Sequence, residues 1–135
     1  MTGSFLDSLS QDERSSFIDG VFDLARSGRH DELGEMLSAG VPVNITNARN
    51  DTLLIVATYA QQASVVAVLV QLGADLDHVN NMGQTAVSCA VFRNDEALLR
   101  MLIEAGADVH AGAHSGLAIA QQFGLTNMAG ILQDL

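Results

Sequence analysis

A shift of 33 residues lays this chain onto itself, and that fixed period constrains the fold more than any other feature of the sequence. Leu72-Gly73-Ala74-Asp75-Leu76 returns as Ala105-Gly106-Ala107-Asp108-Val109. At the same shift Thr52 meets Thr85, Leu54 meets Val87, Ala57 meets Ala90, Val66 meets Leu99 and Leu69 meets Leu102. The register runs backwards through Ala39-Gly40-Val41-Pro42-Val43-Asn44, which places Val21, Leu33 and Met36 under Leu54, Val66 and Leu69. Forwards, Leu117-Ala118-Ile119-Ala120 meets Val87-Ser88-Cys89-Ala90 once three loop residues are deleted. A period of this length means stacked supersecondary units that bury their apolar faces against one another. The expected organisation is one domain: an N-terminal extension 1–13, a capping unit 14–46, full units 47–79 and 80–112, and a truncated cap 113–135. Residues 1–9 either fray or fold back over the first unit through Phe5, Leu6 and Leu9.

Each full unit reads as a helix–turn–helix. Thr52 and Thr85 are suited to cap a helix, since a Thr hydroxyl accepts from the free N–H groups of a first turn. A short helix of small residues follows (Leu54, Val56, Ala57), then a second with Val65, Val66, Val68 and Leu69 at near-helical spacing. The β-branched run Val65–Val70 could also be a buried strand. The repeat context and Gly73 behind it favour helix, because Gly73 and Gly106 can take the left-handed conformation that ends one. Ser10-Gln11-Asp12-Glu13 has the capping-box pattern and opens a helix through Phe17, Val21 and Leu24.

Composition narrows the function. All six basic residues are arginine, against 16 acidic ones, giving a formal charge of −10. Nucleic-acid affinity comes largely from neutralising phosphates with cations, so a nucleic-acid partner is not expected, nor is an anionic membrane surface. A neutral or basic protein patch is the easier partner. Cys89 is the single cysteine, so an intrachain disulfide cannot form and a reducing compartment is expected. Met1–Ser10 lacks the basic and apolar regions of a secretory signal. No apolar run approaches the roughly 20 residues that cross a bilayer. Cytoplasm is the expected location.

The second full unit contains Gly83-Gln84-Thr85-Ala86-Val87-Ser88-Cys89-Ala90 and Leu102-Ile103-Glu104-Ala105-Gly106-Ala107-Asp108. The first contains Asn50-Asp51-Thr52-Leu53-Leu54-Ile55-Val56-Ala57 and Leu69-Val70-Gln71-Leu72-Gly73-Ala74-Asp75. With the 33-residue period, these stretches resemble the ankyrin repeat, over residues 14–135 or so. Asn50-Asp51-Thr52-Leu53-Leu54 and Ala90-Val91-Phe92 resemble in particular the short stand-alone ankyrin proteins of bacteria. The resemblance implies an all-α solenoid of helix–turn–helix units with short loop-tip β-turns, and a role in binding another protein. Leu53 and Ile55, or Ala86 and Ser88, stand where the family has Pro and His. Gln61-Gln62 and Asn94-Asp95 replace the Gly-His pair between helices. These departures imply lower stability than a consensus array.

The resemblance also implies where contact occurs: a curved array whose loop tips and first helices form a concave face. Mapped onto this chain, Arg49 and Asp51 lie on one tip, and Asn81, Met82 and Gln84 on the next. Tyr59, and Phe92 with Arg93, fall at the ends of first helices, and His114 and Gln122 extend the row. Aromatic residues with Arg are the usual composition of binding hot spots. Phe92 could instead pack inward against Tyr59. The function expected is a cytoplasmic adaptor or modulator that binds a protein through this face. The alternative is self-association through the apolar last unit (Leu125, Met128, Ile131, Leu132), which would make the chain a weak homodimer rather than a monomer.

Catalytic chemistry is not expected. His110 and His114 have a chelating interval but lie around the Gly-rich stretch Ala111-Gly112-Ala113, without further ligands, so no metal is expected there. Cys89 falls on an inward position and reads as a small hydrophobe. Asp75 and Asp108 follow helix ends and read as acceptors for turn backbone groups. Gly106, Gly112 and Gly116 make no phosphate loop, for the chain contains no Lys. No cofactor is expected.

Overall fold

The computed structural model describes residues 6–133. Among the described residues from Gln11 onward eight helices follow one another: α1 (Gln11–Arg26), α2 (His30–Ser38), α3 (Leu53–Tyr59), α4 (Ala63–Gln71), α5 (Ala86–Phe92), α6 (Glu96–Glu104), α7 (Gly116–Gln122) and α8 (Thr126–Gln133). They stand in antiparallel pairs and form two rows. The inner row runs α1–α3–α5–α7 and the outer row α2–α4–α6, each helix against the next. Among the described residues there is no strand, only an isolated bridge between Thr46 and Thr52. The fold is the all-α repeat solenoid that the 33-residue period implies.

The matched positions of the sequence form the core. Val21, Leu54 and Val87 are buried in successive inner helices, as are Leu33, Val66 and Leu99 in successive outer ones. Leu69 and Leu102 are buried too, whereas Met36 is half-buried at the open end of the stack. The run Val65–Val70 is helical within α4, with Val65 and Val66 fully buried. Burial against α2, α3 and α6 outweighs the strand preference of its valines.

Helix ends follow the sequence closely. Ser10 and Glu13 form the reciprocal capping box of α1, and the Ser10 contacts hold the Glu13 carboxyl below its ordinary value. Thr52 and Thr85 accept from the N–H groups of Ile55 and Ser88. Gly73 and Gly106 end α4 and α6 with φ of +82° and +102°. In the N-terminal extension, Arg14 Nε donates to the Leu6 carbonyl at 3.1 Å, and Leu6 and Leu9 are half-buried. Phe5 lies outside the described residues.

The last unit differs from expectation. Met128 and Leu132 are buried, and Leu125 and Ile131 are half-buried against the core. The short helix α8 turns these side chains onto its neighbours, leaving Thr126, Asn127, Gly130 and Gln133 outward. The apolar end surface that would have supported dimerisation is therefore largely internal. Among the described residues of this unit the exposed large apolar side chain is Phe123, on the other side of the turn.

A candidate protein-binding face at the inner helix ends

Leu53–Thr58 and Ala86–Val91 are buried throughout, so the two middle inner helices present side chains to solvent only at their ends. A seven-residue helix is about 10 Å long, and the ten sequence-predicted residues divide between its two ends. Arg49, Asp51, Asn81, Met82, Gln84 and His114 precede the helices; Tyr59, Phe92, Arg93 and Gln122 lie where they finish. Along the expected face of loop tips and first helices, the structure groups these residues into two clusters, one at each end of the helices.

The tip cluster is organised by two asparagines that fall on one another at the repeat shift. The Asn47 side-chain oxygen accepts from the N–H groups of Arg49 and Asp51, both at 3.0 Å. The Asn80 oxygen accepts from Met82 and Gln84 in the same pattern. These bonds lock β-turns at 47–50 and 80–83, each closed by a backbone bond from the fourth residue to the first. Asn80 is buried, and its amide donates to Asp51 Oδ1 and Gln84 Oε1 at 2.7 and 3.0 Å. Asp51 and Gln84 are thus half-buried structural partners, not free contact groups. Arg49, Asn81, Met82 and His114 remain exposed, Met82 at 75 %. The identity of Asn47 and Asn80 at one shift was the available signal for this scaffold.

The end cluster is aromatic. The Tyr59 and Phe92 rings stack with centroids 6.2 Å apart and planes 16° from parallel. Phe92 meets Phe123 edge-on at 5.8 Å and 86°. All three are about half exposed, at 45, 50 and 55 %. Phe92 therefore both packs on Tyr59 and faces solvent. Offset-stacked and edge-to-face pairs are the preferred geometries of aromatic quadrupoles. Phe123 was missed from the sequence, where the aligned residue Gln122 was chosen; Gln122 is exposed, but the ring that reaches Phe92 comes one position later.

Arg93 completes the cluster. Its guanidinium carbon lies 5.2 Å from the Tyr59 ring centroid, and Nη2 donates to Gln61 Oε1 at 2.9 Å. Gln61 Nε2 in turn donates to Asp95 Oδ2 at 3.1 Å, while Asp95 Oδ1 caps α6 by accepting from Leu98. Gln61 and Asn94 occupy the left-handed region, with φ of 59° and 53°. The equivalent turns use Gly28 and Gly124. Gln61, in the pair that replaces the family's Gly-His, has a side chain that spans two units. Further along, Asn127 donates to Asn94 Oδ1 at 3.3 Å, and Gln62 donates to the Arg26 carbonyl at 3.0 Å. Polar bonds between neighbouring units thus persist where the family's Gly-His pair is replaced.

The aspartates that follow the helix ends have structural partners. Asp75 and Asp108 accept from the N–H groups of Asp77 and His110. Asn44 and Asp77 accept from Asp75 and Asp108 of the following unit, at 2.8 and 2.7 Å. A His78 ring nitrogen lies 2.9 Å from the Asn50 carbonyl. Among the described residues no group of three or more His, Cys, Asp or Glu is placed to hold a metal. Cys89 is 2 % exposed, and burial, with the Asp51 charge as a smaller cause, pushes its thiol from an ordinary 9.0 up to about 12. Because the thiolate is the reactive form, Cys89 should react with a thiol reagent on the order of a hundredfold more slowly in the native protein than in denaturant. Equal rates, followed by release of a chromogenic thiol, would contradict its burial.

A family model for ankyrin repeats, in three copies, matches residues 22–113, more than half of the chain. A Pseudomonas aeruginosa protein named for its ankyrin repeats is 39 % identical over 54 residues, which are 40 % of this chain and 32 % of that protein. A Treponema pallidum protein similarly named is 30 % identical over 94 residues, 69 % of this chain and 32 % of the relative. The inactive serine/threonine-protein kinase TEX14 of Mus musculus is 31 % identical over 96 residues, covering 71 % of this chain and 7 % of that protein. The match thus spans about a third of the bacterial relatives' length and under a tenth of the murine one's. With the period, the paired helices and the family match in agreement, this chain belongs to the ankyrin repeat family.

Proposed function

We propose that this chain is a protein-binding adaptor or modulator that holds its partner at the inner helix ends, through Tyr59, Phe92, Arg93 and Phe123. Ankyrin repeats are protein-interaction modules, and the repeat fold carries that much. The observation that supports this particular face is the exposed run of three contacting aromatic rings with an arginine lying over one of them. Solvent-facing aromatic and Arg side chains held in fixed geometry are the usual anchors of an interface, because little conformational entropy is left to lose on binding. Arg49 and Met82 on the loop tips form a second contact zone for a partner broad enough to reach both ends.

A partner that is neutral or basic overall is favoured by the formal charge of −10. Among the described residues no helix is long and apolar enough to cross a membrane. A single buried thiol suits a reducing compartment, and the cytoplasm is the location we propose. Self-association through the last unit loses its main support, since Met128 and Leu132 are buried.

The test is affinity capture from native cell extract with the wild-type chain and with the Tyr59→Ala, Arg93→Ala double variant. Both side chains are exposed, so the variant should keep the wild-type circular dichroism and melting profile. It should retain its partner at least ~10-fold less well, which corresponds to about 1.4 kcal/mol. Equal retention of the same proteins by a folded variant would remove this face from the reading.

A further inference from the structure

We infer that the outer helix row is a second docking surface, centred on α4, for a folded protein whose own apolar patch is rimmed by lysine and arginine. This goes beyond the reading above, which concerns the inner helix ends.

Residues 52–74 contain no Asp, Glu, Lys or Arg, yet α4 lies in the outer row. A surface helix ordinarily turns charged side chains to solvent. α4 instead exposes Ala63, Ala67 and Leu72, beside the uncharged polar Ser64 and Gln71, and leaves Val68 and Val70 half-buried. Leu72 is 45 % exposed, where the neighbouring units have Ala39 and Ala105.

The repeat register shows how far this surface extends. The groove between α6 and α8 is lined by Glu96, Arg100, Ile103 and Glu104 of α6, against Asn127, Gly130 and Ile131 of α8. One repeat earlier, the α6 positions are Ala63, Ala67, Val70 and Gln71 of α4; two repeats earlier they are His30, Gly34, Leu37 and Ser38 of α2. The places of Asn127 and Ile131 fall on Ala97 and Met101 of α6, and on Ser64 and Val68 of α4. The match holds in space, for a Cβ built at Gly34 would lie 3.8 Å from Val68 Cγ1. Among the described residues, the α2–α4 and α4–α6 grooves are thus lined without Asp, Glu or Arg, whereas the α6–α8 groove has three such residues.

Carboxylates border this belt on both sides. Glu96 and Glu104 lie on the side of α6 that faces α8; Arg100 pairs with Glu96, so that border stays negative. Asp31 and Glu35 hold the places of Asn127 and Ile131, which turns them to the side of α2 away from α4. Contiguous apolar surface with a polar rim marks an interaction site, and here the rim selects the occupant. A second copy would set carboxylates against carboxylates, and an anionic membrane is repelled in the same way. Adjacent helices pack 8–10 Å apart, which puts the two borders roughly 16–20 Å apart. A single helix, about 10–12 Å across, does not reach both. A folded surface of two packed helices does, and cations at its edges meet the carboxylates and steer the approach.

The test selects a phage-displayed library of three-helix bundles, randomised over the exposed face of two helices, on the wild-type chain. The enriched clones are expected to have an apolar centre with Lys or Arg at both edges. Ala67→Asp should weaken them at least ~10-fold, because docking then buries an unpaired carboxylate. Mere attraction of a cationic clone to an acidic chain would be strengthened by the same change. Ala67→Gln keeps a good helix former in α4 and should still weaken binding threefold or so, which separates a blocked surface from a misfolded one. Glu35→Gln with Glu104→Gln should cost about threefold, while Asp12→Asn with Asp19→Asn, an equal change of charge on α1, should cost less than ~1.5-fold. Clones that lack basic edges, or that bind Ala67→Asp as well as wild type, would overturn the inference. Clones lost on Tyr59→Ala but kept on Ala67→Asp would overturn it while leaving the inner helix ends as the binding face. A selection that enriches nothing also overturns it.

Discussion

Leu102→Ala is expected to lower unfolding stability by about 3 kcal/mol, within the range measured for buried leucines truncated to alanine. Leu102 is wholly inaccessible to solvent and occupies in α6 the place that Leu69 holds in α4. Truncation removes apolar atoms from a site that cannot collapse around the gap. The solenoid form aggravates the loss. Each unit is stabilised mainly by its neighbours, so weakening the second full unit also weakens the attachment of α7 and α8. Against a total of about 5–15 kcal/mol for an ordinary domain, one such change is a large fraction. Urea unfolding should show a lower midpoint at an unchanged denaturant dependence. A loss under ~1 kcal/mol would mean that this layer is not packed as described.

Gly83→Ala is expected to cost about 2 kcal/mol, from two separable causes. Gly83 has φ +77°, where a side chain is strained. A Cβ there would also lie 2.5 Å from the Ala113 Cβ, a group with no rotamer to yield. Ala113 N–H donates to the Gly83 carbonyl at 2.9 Å, so a shift of the tip also threatens a backbone bond between units. Gly73→Ala is the control. Its φ is +82° and nothing lies within 4 Å of the added Cβ, so only the backbone strain applies, at roughly 1 kcal/mol. Equal thermal shifts for the two variants would contradict the close approach of the 80–83 and 111–115 loops.

The solenoid was legible in the sequence because its physical cause is periodic. Val21, Leu54 and Val87 recur at one shift because each fills the same space in a different unit. The caps at Ser10, Thr52 and Thr85 were legible for a similar reason, since their bonds are local in the chain. The contact face was legible only in part. Tyr59, Phe92 and Arg93 stand out by type, but Phe123 enters the row where the three-residue deletion breaks the register. Only three-dimensional placement shows that Phe123, not Gln122, touches Phe92. The bonds of Gln61 and Asp51 were not legible, because their partners, Arg93 and Asp95 for one and Asn80 for the other, lie about a repeat away. The apolar last unit misled in the opposite direction. A count of Leu125, Met128, Ile131 and Leu132 records hydrophobicity, not which way a short helix faces.

The row of rings gives the chain a preferred side, and photo-crosslinking asks directly which side is used. A benzoylphenylalanine placed at Phe92 sits within the aromatic row. One placed at Arg100 sits on the outer row, beside a groove of about 550 Å3 lined by Glu96, Ile103, Glu104, Asn127, Gly130 and Ile131. Irradiated in native extract, the first should give a discrete crosslinked product with one partner protein, and the second should give none with that protein. A product from the Arg100 site alone would contradict the assignment of binding to the inner helix ends.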